Sequence, residues 1–175
     1  MSKFIQTCRG NYFNFENPEE HAFIIEEIAH ALSHICRYTG HVGTFYSVCQ
    51  HSYLASFLVP RELALDALLH DASEAYLGDV STPLKSLLPD YRKIEARVEI
   101  AIAKYFGLRY PMPPEVKRAD IQLLMTEKRD LMPKNERDNT LWPDVKPLEF
   151  EIVPLSPEEA RARFLGRYKE LIYGV

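Results

Sequence analysis

The stretch LLHDASEAYLGDVSTPLK, residues 68–85, places a histidine and three acids where the flanking pattern is that of a buried helix. His70 and Asp71 follow an apolar run, and Glu74 and Asp79 come shortly after them. A protein interior accommodates such groups only where a metal ion, hydrogen bonds or solvent at the floor of a cleft offsets their desolvation. The stretch therefore predicts the centre of the fold and a functional site at the same place.

The segments around this stretch predict a mainly helical fold. Apolar residues recur at helical spacing in segments 17–35, 47–57, 60–76, 91–106, 115–131 and 156–171, with a short helical turn at Thr82-Pro83. The segment 60–76 is apolar nearly all round, so its helix should lie centrally. Asn17 and Ser156 have the character of N-caps, because Pro and acids follow each of them. We therefore predict one all-α domain over residues 1–175.

The two ends of the chain are less regular than its middle. KFIQT and NYFNF flank Arg9-Gly10, and alternating apolar positions around a Gly turn are typical of a short β-hairpin. Residues 133–155, which include Trp142, are rich in loop-forming residues. The sequence leaves open whether they cover the mouth of a pocket or hold the last helix in place.

Composition excludes several classes of protein. The balance of 21 basic against 25 acidic residues gives a net charge of −4, without a run of Lys or Arg to bind a nucleic-acid backbone. Cys8, Cys36 and Cys49 are odd in number and form no CxxC pair, which is typical of a reducing cytoplasm. No stretch approaches the roughly 18 apolar residues of a membrane span. We expect a cytoplasmic protein that binds neither nucleic acid nor membrane.

All six histidines lie within the first 70 residues, and two of them stand out by their neighbours. In a helix, His70 and Glu74 are one turn apart, with Asp71 beside them. His51 on the preceding helix and Asp120 on a later one could complete a set of metal ligands. Two imidazoles and two carboxylates suit Mn²⁺, Co²⁺, Ni²⁺, Fe²⁺ or Zn²⁺. Spacing alone leaves a second interpretation open, in which His70-Asp71 is a helix-end hydrogen bond and Asp120 is a surface acid.

Three segments, in this order, resemble the motifs of the HD-domain phosphohydrolases: FYSVCQHS (45–52), LLHDASEAYLGDVSTPLK (68–85) and VKRADIQLLMTEKRDLM (116–132). The most similar branch contains the 5′-deoxynucleotidases and their phage and prophage relatives. The likeness runs from about residue 25 to residue 132, and HDASEAYLGDVSTPLK is specific to that branch. The resemblance implies an all-helical HD domain with one divalent ion (Co, Mn, Zn, Ni, Fe or Mg) held by His51, His70, Asp71 and Asp120.

The resemblance also implies roles for residues around the ion. Glu74 matches the catalytic acid of the family, and Asp79 matches a second acid beside the site. Arg37-Tyr38 occupies the place of a substrate-contacting Arg-Trp pair, from which Tyr is a departure. The guanidinium fork of Arg37 suits a phosphoryl group. The candidate substrate contacts are Arg37, Tyr38, His41 and Lys85.

The predicted function is hydrolysis of the 5′-phosphate of deoxynucleoside monophosphates. No histidine follows His70, which favours a one-metal site over the two-metal clamps usual for phosphodiester cleavage. A deoxynucleoside triphosphate triphosphohydrolase is the main alternative, and a nucleotide-binding domain without turnover is another. The second alternative would be favoured by loss of a ligand, yet all of them are present. The expected partners are a small-molecule deoxynucleotide and further copies of the chain, as a dimer or larger homo-oligomer.

Overall fold

The computed structural model describes residues 3–135 and 144–174. In this part of the chain a two-stranded antiparallel hairpin precedes a set of helices, which confirms the predicted all-α fold with its N-terminal hairpin. The elements are β1 Phe4–Gln6, β2 Tyr12–Asn14, α1 Ile25–His34, α2 Val48–Ala55, α3 Ala64–Leu68, α4 Glu74–Leu77, α5 Thr82–Lys85, α6 Pro89–Phe106, α7 Pro114–Leu131 and α8 Pro157–Tyr173. Across the described helices, length and apolarity never combine to the degree that a bilayer-spanning segment requires.

The hydrophobic core lies where α8 packs against α1, α2 and α3. Ile28 and Leu32 of α1, Leu68 of α3 and Phe164 of α8 are fully buried there. The β-hairpin covers the neighbouring α4, because the ring of Phe13 in β2 stacks on Tyr76 with centroids 4.2 Å apart. The short helix α4, which begins with Glu74, is thereby held against α1 by packing on both sides.

The helix predicted over residues 60–76 is interrupted, and the prediction of one continuous helix was wrong. After a 3-10 turn at Arg61–Leu63, α3 ends at Leu68 and α4 begins only at Glu74. The Nδ1 atom of His70 lies 2.7 Å from the Ala67 carbonyl oxygen. A continuous helix would use that carbonyl for the backbone N–H four residues on. A side chain that competes for a backbone acceptor in this way favours a turn over a helix.

The first helix also begins later than predicted. The side chain of Asn17 makes no cap hydrogen bond, and Pro18–Glu20 form a single 3-10 turn. The helix α1 begins at Ile25, after a residue with extended backbone. Between them the chain buries Phe23, whose ring packs edge-on against Tyr76 at 5.7 Å. Burial of this aromatic side chain holds an extended segment where the capping pattern predicted helix.

The long helices α6 and α7 end close to their predicted limits. Gly107 stops α6 in the left-handed conformation, with φ of 68°, and its N–H bonds to the Ala103 carbonyl. The helix α7 packs against α2 and buries Val116, Ala119, Leu123, Thr126 and Glu127. The same helix carries Asp120, so its packing on α2 decides where that acid lies relative to His51.

The part of the loop-rich segment that leads into α8, residues 144–155, runs along α2 and α7. The Gln50 side chain donates to the Val153 carbonyl and accepts from the Leu155 N–H, both at 2.8 Å. The Ile152 N–H donates to Oδ2 of Asp130 at 2.9 Å. These bonds support the second of the two roles considered for this segment, which is to hold α8 in place. Residues 136–143, with Trp142 among them, lie outside the described residues.

A capping box begins α8, as the sequence predicted. Ser156 Oγ accepts from the Glu159 N–H at 3.2 Å, and Glu159 Oε2 accepts from the Ser156 N–H at 3.0 Å. We expect Ser156→Ala to lower the free energy of unfolding by about 1 kcal/mol and the Tm by roughly 2–4 °C. Ser156→Asp, which can still cap, should melt near the wild type by circular dichroism. Equal melting of the alanine variant and the wild type would contradict this role.

Candidate metal centre and active site

Four side chains from three segments converge on one point, and we call them the ligand cluster: His51 on α2, His70 and Asp71 between α3 and α4, and Asp120 on α7. The Nε2 atom of His51 lies 3.2 Å from Nε2 of His70 and 3.1 Å from Oδ1 of Asp120. The Oδ2 atom of Asp71 lies 3.1 Å from His70 Nε2 and 3.7 Å from His51 Nε2. The four predicted ligands therefore lie beside one another; His51, His70 and Asp120 have the mutual spacing of a possible metal site, and Asp71 lies next to both imidazoles.

The donor set of the ligand cluster fits a divalent cation. One ligand atom each from His51, His70 and Asp120 lies within 4.8 Å of the others. Ligand atoms that each lie about 2.0–2.2 Å from one ion have distances of this size between them. Two imidazoles whose Nε2 atoms face each other, with two carboxylates beside them, offer the mixed nitrogen and oxygen donors that transition metals accept. The interpretation of Asp120 as an isolated surface acid has no support in this geometry.

The turn between α3 and α4 is what brings the His-Asp pair into the ligand cluster. In a continuous helix, adjacent side chains diverge by about 100°. Here the chain leaves helical geometry at Leu69, with φ of −108° and ψ of 11°. His70 and Asp71 can then point the same way, and the charge of His70 holds the pKa of Asp71 below its usual range despite burial. The interruption of the predicted helix is thus part of the site.

Glu74 and Asp79 lie beside the ligand cluster. Glu74 is the first residue of α4 and is buried, and its Oε2 atom has no hydrogen-bond partner among the residues that the structure describes. Burial and the negative charges of Asp71 and Asp79 raise the pKa of Glu74 well above its ordinary value. Burial, with Asp71 adding to it, also raises the pKa of Asp79. Carboxyl groups with raised pKa values next to a ligand cluster are candidates for proton transfer.

Arg37 presents one nitrogen to the ligand cluster. Its Nε and Nη2 atoms donate to Oε2 of Glu127 at 3.0 and 2.9 Å. The remaining Nη1 atom lies 3.7 Å from Oδ2 of Asp71. Burial lowers the pKa of the Arg37 guanidinium, but the surrounding groups, Glu127 first and then Tyr38 and Asp71, together outweigh this effect and raise the pKa above its ordinary value. Nη1 is therefore the atom that could contact a phosphoryl oxygen bound at the cluster.

The backbone after Arg37 is strained. Tyr38 and Thr39 have φ values of 56° and 54°, which place two consecutive residues other than Gly in the left-handed region. Such a conformation costs about 1–2 kcal/mol per residue. It persists only where surrounding contacts hold it, and strain of this kind is common at functional sites. The Tyr38 hydroxyl supplies one such contact, because it donates to Oε2 of Glu127 at 2.8 Å.

The other predicted substrate contacts lie at different distances from the ligand cluster. Tyr38 is half-buried against Glu127, and its hydroxyl is engaged there. Lys85 on α5 pairs with Glu95 of α6 at 2.5 Å, which raises the pKa of its ammonium group. His41 is exposed just after the strained turn. Their roles in substrate binding remain predictions.

Sequence reasoning missed Glu127. This carboxylate is fully buried, and its Oε1 atom accepts from Nδ1 of His51 at 2.6 Å. Burial raises its pKa, but Arg37 and His51 together outweigh this and hold the pKa of Glu127 below its ordinary value. A signal was present in the sequence. Glu127 follows Asp120 by seven residues, two helical turns, and shares the buried register of Leu123.

Comparison with known proteins agrees with this geometry. The profile of the family described as 5′-deoxynucleotidase YfbR-like matches residues 6–137. The chain is 41% identical over 172 residues to the protein YfdR of Escherichia coli, whose name states no activity; the alignment covers 96% of this chain and 95% of YfdR. It is 34% identical over 88 residues to a 5′-deoxynucleotidase of Vibrio cholerae, covering 48% of this chain and 38% of that protein.

A further 5′-deoxynucleotidase, from Erwinia tasmaniensis, is 34% identical over 113 residues, which are 62% of this chain and 47% of that enzyme. The chain thus spans less than half the length of these two nucleotidases, and it spans nearly all of YfdR. The match to the family covers strand β2, the ligand cluster and Glu127. The chain therefore belongs to the YfbR-like 5′-deoxynucleotidase family of HD-domain phosphohydrolases, whose members hydrolyse nucleotide phosphoester bonds.

Proposed function

We propose that this chain hydrolyses the 5′-phosphate of deoxynucleoside monophosphates and releases a deoxynucleoside and phosphate. The observation that carries this proposal is the convergence of two imidazoles and two carboxylates next to a buried acid with a free oxygen, Glu74. The arrangement suits attack of a water molecule on a phosphoryl group. The names of the Vibrio and Erwinia relatives state the same activity for those proteins.

The side chains of the ligand cluster, His51, His70, Asp71 and Asp120, would hold one divalent ion. Such an ion supplies positive charge that acidifies water and stabilises phosphoryl oxygens. Both imidazoles offer Nε2 to the centre, and the carboxylates supply two negative charges that retain a cation there. Co²⁺, Mn²⁺, Zn²⁺, Ni²⁺, Fe²⁺ and Mg²⁺ are the candidates, and the mixed nitrogen and oxygen set favours the transition metals among them.

Glu74, Asp79 and Arg37 would carry out the remaining steps. With a divalent ion in the ligand cluster, whose positive charge would lower the raised pKa of Glu74, the free Oε2 atom of Glu74 would accept a proton from the attacking water. Arg37 donates from Nη1 to a phosphoryl oxygen, since Glu127 holds its other two nitrogens. As water attacks phosphorus, the bond to O5′ breaks, and Asp79, whose pKa is raised by burial, would return a proton to that oxygen. The products are the deoxynucleoside and inorganic phosphate.

The charge beside the ligand cluster supports a monophosphate substrate over a triphosphate. The acidic residues Glu74 and Asp79 lie beside the ligand cluster, and the ammonium group of Lys85 is already paired with Glu95. A triphosphate carries more negative charge than a monophosphate, so these carboxylates would repel it more strongly. The triphosphohydrolase reaction remains the alternative, and its products differ.

Product analysis separates these two reactions. Purified protein is incubated with each deoxynucleoside monophosphate and triphosphate in the presence of each of the six candidate metals in turn, and the products are resolved by chromatography. We expect deoxynucleoside and inorganic phosphate from the monophosphates, and no release after chelation. Intact triphosphate as a product would assign the alternative reaction. Absence of turnover on the whole panel with all six metals would reject both.

Assembly and location also belong to the proposal. Exposed apolar side chains are available for self-association, among them Leu84 on α5, Leu87 in the turn after α5 and Tyr173 on α8. We propose a homodimer or larger homo-oligomer in the cytoplasm, where deoxynucleotides are found. Light scattering coupled to gel filtration measures the mass, and a value of 20.3 kDa, that of one chain, would contradict the oligomer.

A further inference from the structure

We propose that Glu127 is a positioning residue that fixes a metal-binding imidazole and a phosphate-binding guanidinium with one carboxylate. Its two oxygens bind different partners: Oε1 binds Nδ1 of His51, and Oε2 binds Arg37 and Tyr38. This inference rests on the proposed function, because it assigns to His51 and Arg37 the roles given there. It adds a residue that joins the metal centre to the phosphate contact.

The location of Glu127 is fixed by the packing of α7. Glu127 lies two turns after Asp120 on the same helix and is 0% exposed. The helix α7 therefore supplies a carboxylate to each nitrogen of the His51 ring: Glu127 contacts Nδ1, and Asp120 contacts Nε2. The helix fixes the backbone positions of Asp120 and Glu127, and the His51 ring lies between their carboxylates. A side chain bound at both ends of its ring has one orientation.

The bond to His51 decides which ring nitrogen faces the metal centre. A carboxylate that already accepts from a guanidinium offers no proton, so the Nδ1 atom of His51 must be the donor in the 2.6 Å contact. Nδ1 is thereby engaged by Glu127, and Nε2, which lies 3.2 Å from His70 Nε2, is the ring nitrogen left to bind a metal ion. An outer partner that fixes the tautomer and orientation of a histidine ligand strengthens metal binding.

The bonds to Arg37 and Tyr38 decide where the guanidinium points. Oε2 of Glu127 binds Nε and Nη2 of Arg37 in a forked contact, which leaves Nη1 directed at the ligand cluster. Tyr38, which follows Arg37 in the strained turn, binds the same oxygen at 2.8 Å. Two successive residues of the turn are thus anchored by one atom of α7. Without that anchor the guanidinium would lose its fixed direction towards a bound phosphoryl group.

This role differs from a purely structural one in what it predicts. A buried carboxylate that only stabilises the fold affects the Tm when replaced, and leaves ligand affinities unchanged in the molecules that remain folded. A positioning residue affects metal affinity through His51 and KM through Arg37. A matched structural carboxylate exists in the chain. Glu27 is 3% exposed and accepts from Thr7 and Asn11 of the hairpin segment, both at 2.8 Å.

The test compares Glu127→Gln with Glu27→Gln. Mn²⁺ is titrated calorimetrically into each metal-free protein, and kcat and KM for a deoxynucleoside monophosphate are measured at saturating Mn²⁺. We expect Glu127→Gln to lower Mn²⁺ affinity by about 10- to 100-fold and to raise KM even at saturating metal. Glu27→Gln should keep both values and lose only thermal stability. Wild-type Mn²⁺ affinity and KM in a folded Glu127→Gln protein would overturn the proposal.

A second variant keeps the experiment decisive if Glu127→Gln does not fold. Glu127→Asp retains the buried negative charge but is one methylene shorter, so it cannot reach His51 and Arg37 together. We expect weaker Mn²⁺ binding from this variant, and unchanged binding would contradict the proposal. The calorimetric result does not depend on turnover. Wild-type protein that binds Mn²⁺ but hydrolyses no monophosphate would reject the proposed function, while the effect of Glu127 on metal affinity would still be measurable.

Discussion

Replacing Glu74 by glutamine is expected to lower kcat for a deoxynucleoside monophosphate by roughly 100- to 10,000-fold, the range typical for loss of a general acid-base group. The amide keeps the shape of the side chain but cannot accept a proton from water. Metal affinity should stay close to that of the wild type, because Glu74 is not a member of the ligand cluster. Steady-state kinetics and Mn²⁺ titration of the same protein samples measure the two quantities.

The stability of this variant should not fall. In the folded metal-free protein, burial and the charges of Asp71 and Asp79 raise the pKa of Glu74. At pH values between the ordinary pKa and this raised pKa, the unfolded chain releases a proton that the folded chain retains. This release stabilises the unfolded state relative to the folded state. At neutral pH the carboxyl group therefore costs stability, and a neutral amide removes the cost. We expect the Tm of metal-free Glu74→Gln to equal or exceed that of the wild type.

Glu99→Gln is the matched control for this prediction. Glu99 is a half-buried acid on α6 whose pKa is raised by burial and by Glu95. The control makes the same change of charge without touching the proposed proton acceptor. Its kcat should stay within about threefold of the wild type, since surface and rim charges contribute little individually. If Glu74→Gln loses no more activity than this control, Glu74 is not the base.

The positions of the helices were predictable where the physical cause is local. The capping box at Ser156 and the left-handed Gly107 lie within a few residues of the boundaries that they set. The break between α3 and α4 was not predictable from periodicity. Its cause is a side chain, that of His70, which bonds to a backbone carbonyl and so competes with the helix. The spacing of apolar residues carries no information on whether a side chain competes for a backbone carbonyl.

The residues of the site can also be separated into those that the sequence predicted and one that it did not. His51, His70, Asp71 and Asp120 could be assigned because they occupy recognisable motifs, although the packing that unites them is distant in sequence. Glu127 could not, because a glutamate in a long amphipathic helix is normally solvent-exposed. Its function depends on Arg37, 90 residues away, and only the packing of α7 on the turn after α1 joins the two. Long-range pairing of polar groups is the part of a site that sequence pattern describes least.

A divalent cation is expected to stabilise the wild-type protein strongly. The ligand cluster holds two carboxylates and two imidazoles in place before any ion binds, so an ion meets its donors already positioned. At a concentration about 100 times the dissociation constant, binding to the folded state adds about 2.7 kcal/mol to the free energy of unfolding. For a chain of this size that raises the Tm by roughly 5–10 °C. Differential scanning fluorimetry with Co²⁺, Mn²⁺, Zn²⁺, Ni²⁺ and Mg²⁺ measures the rise.

Asp120→Asn should remove most of this rise, because it replaces a charged ligand oxygen 3.1 Å from Nε2 of His51 with a neutral amide. Asp66→Asn is the matched control. Asp66 is 6% exposed and pairs with Arg109 at 2.6 Å, so its replacement costs stability without altering the ligand cluster. The increment on adding metal is compared within each variant, which cancels that cost. An equal rise in Asp120→Asn and Asp66→Asn would place the cation elsewhere, and no rise in the wild type with any of the metals would leave the buried acids without a counter-ion.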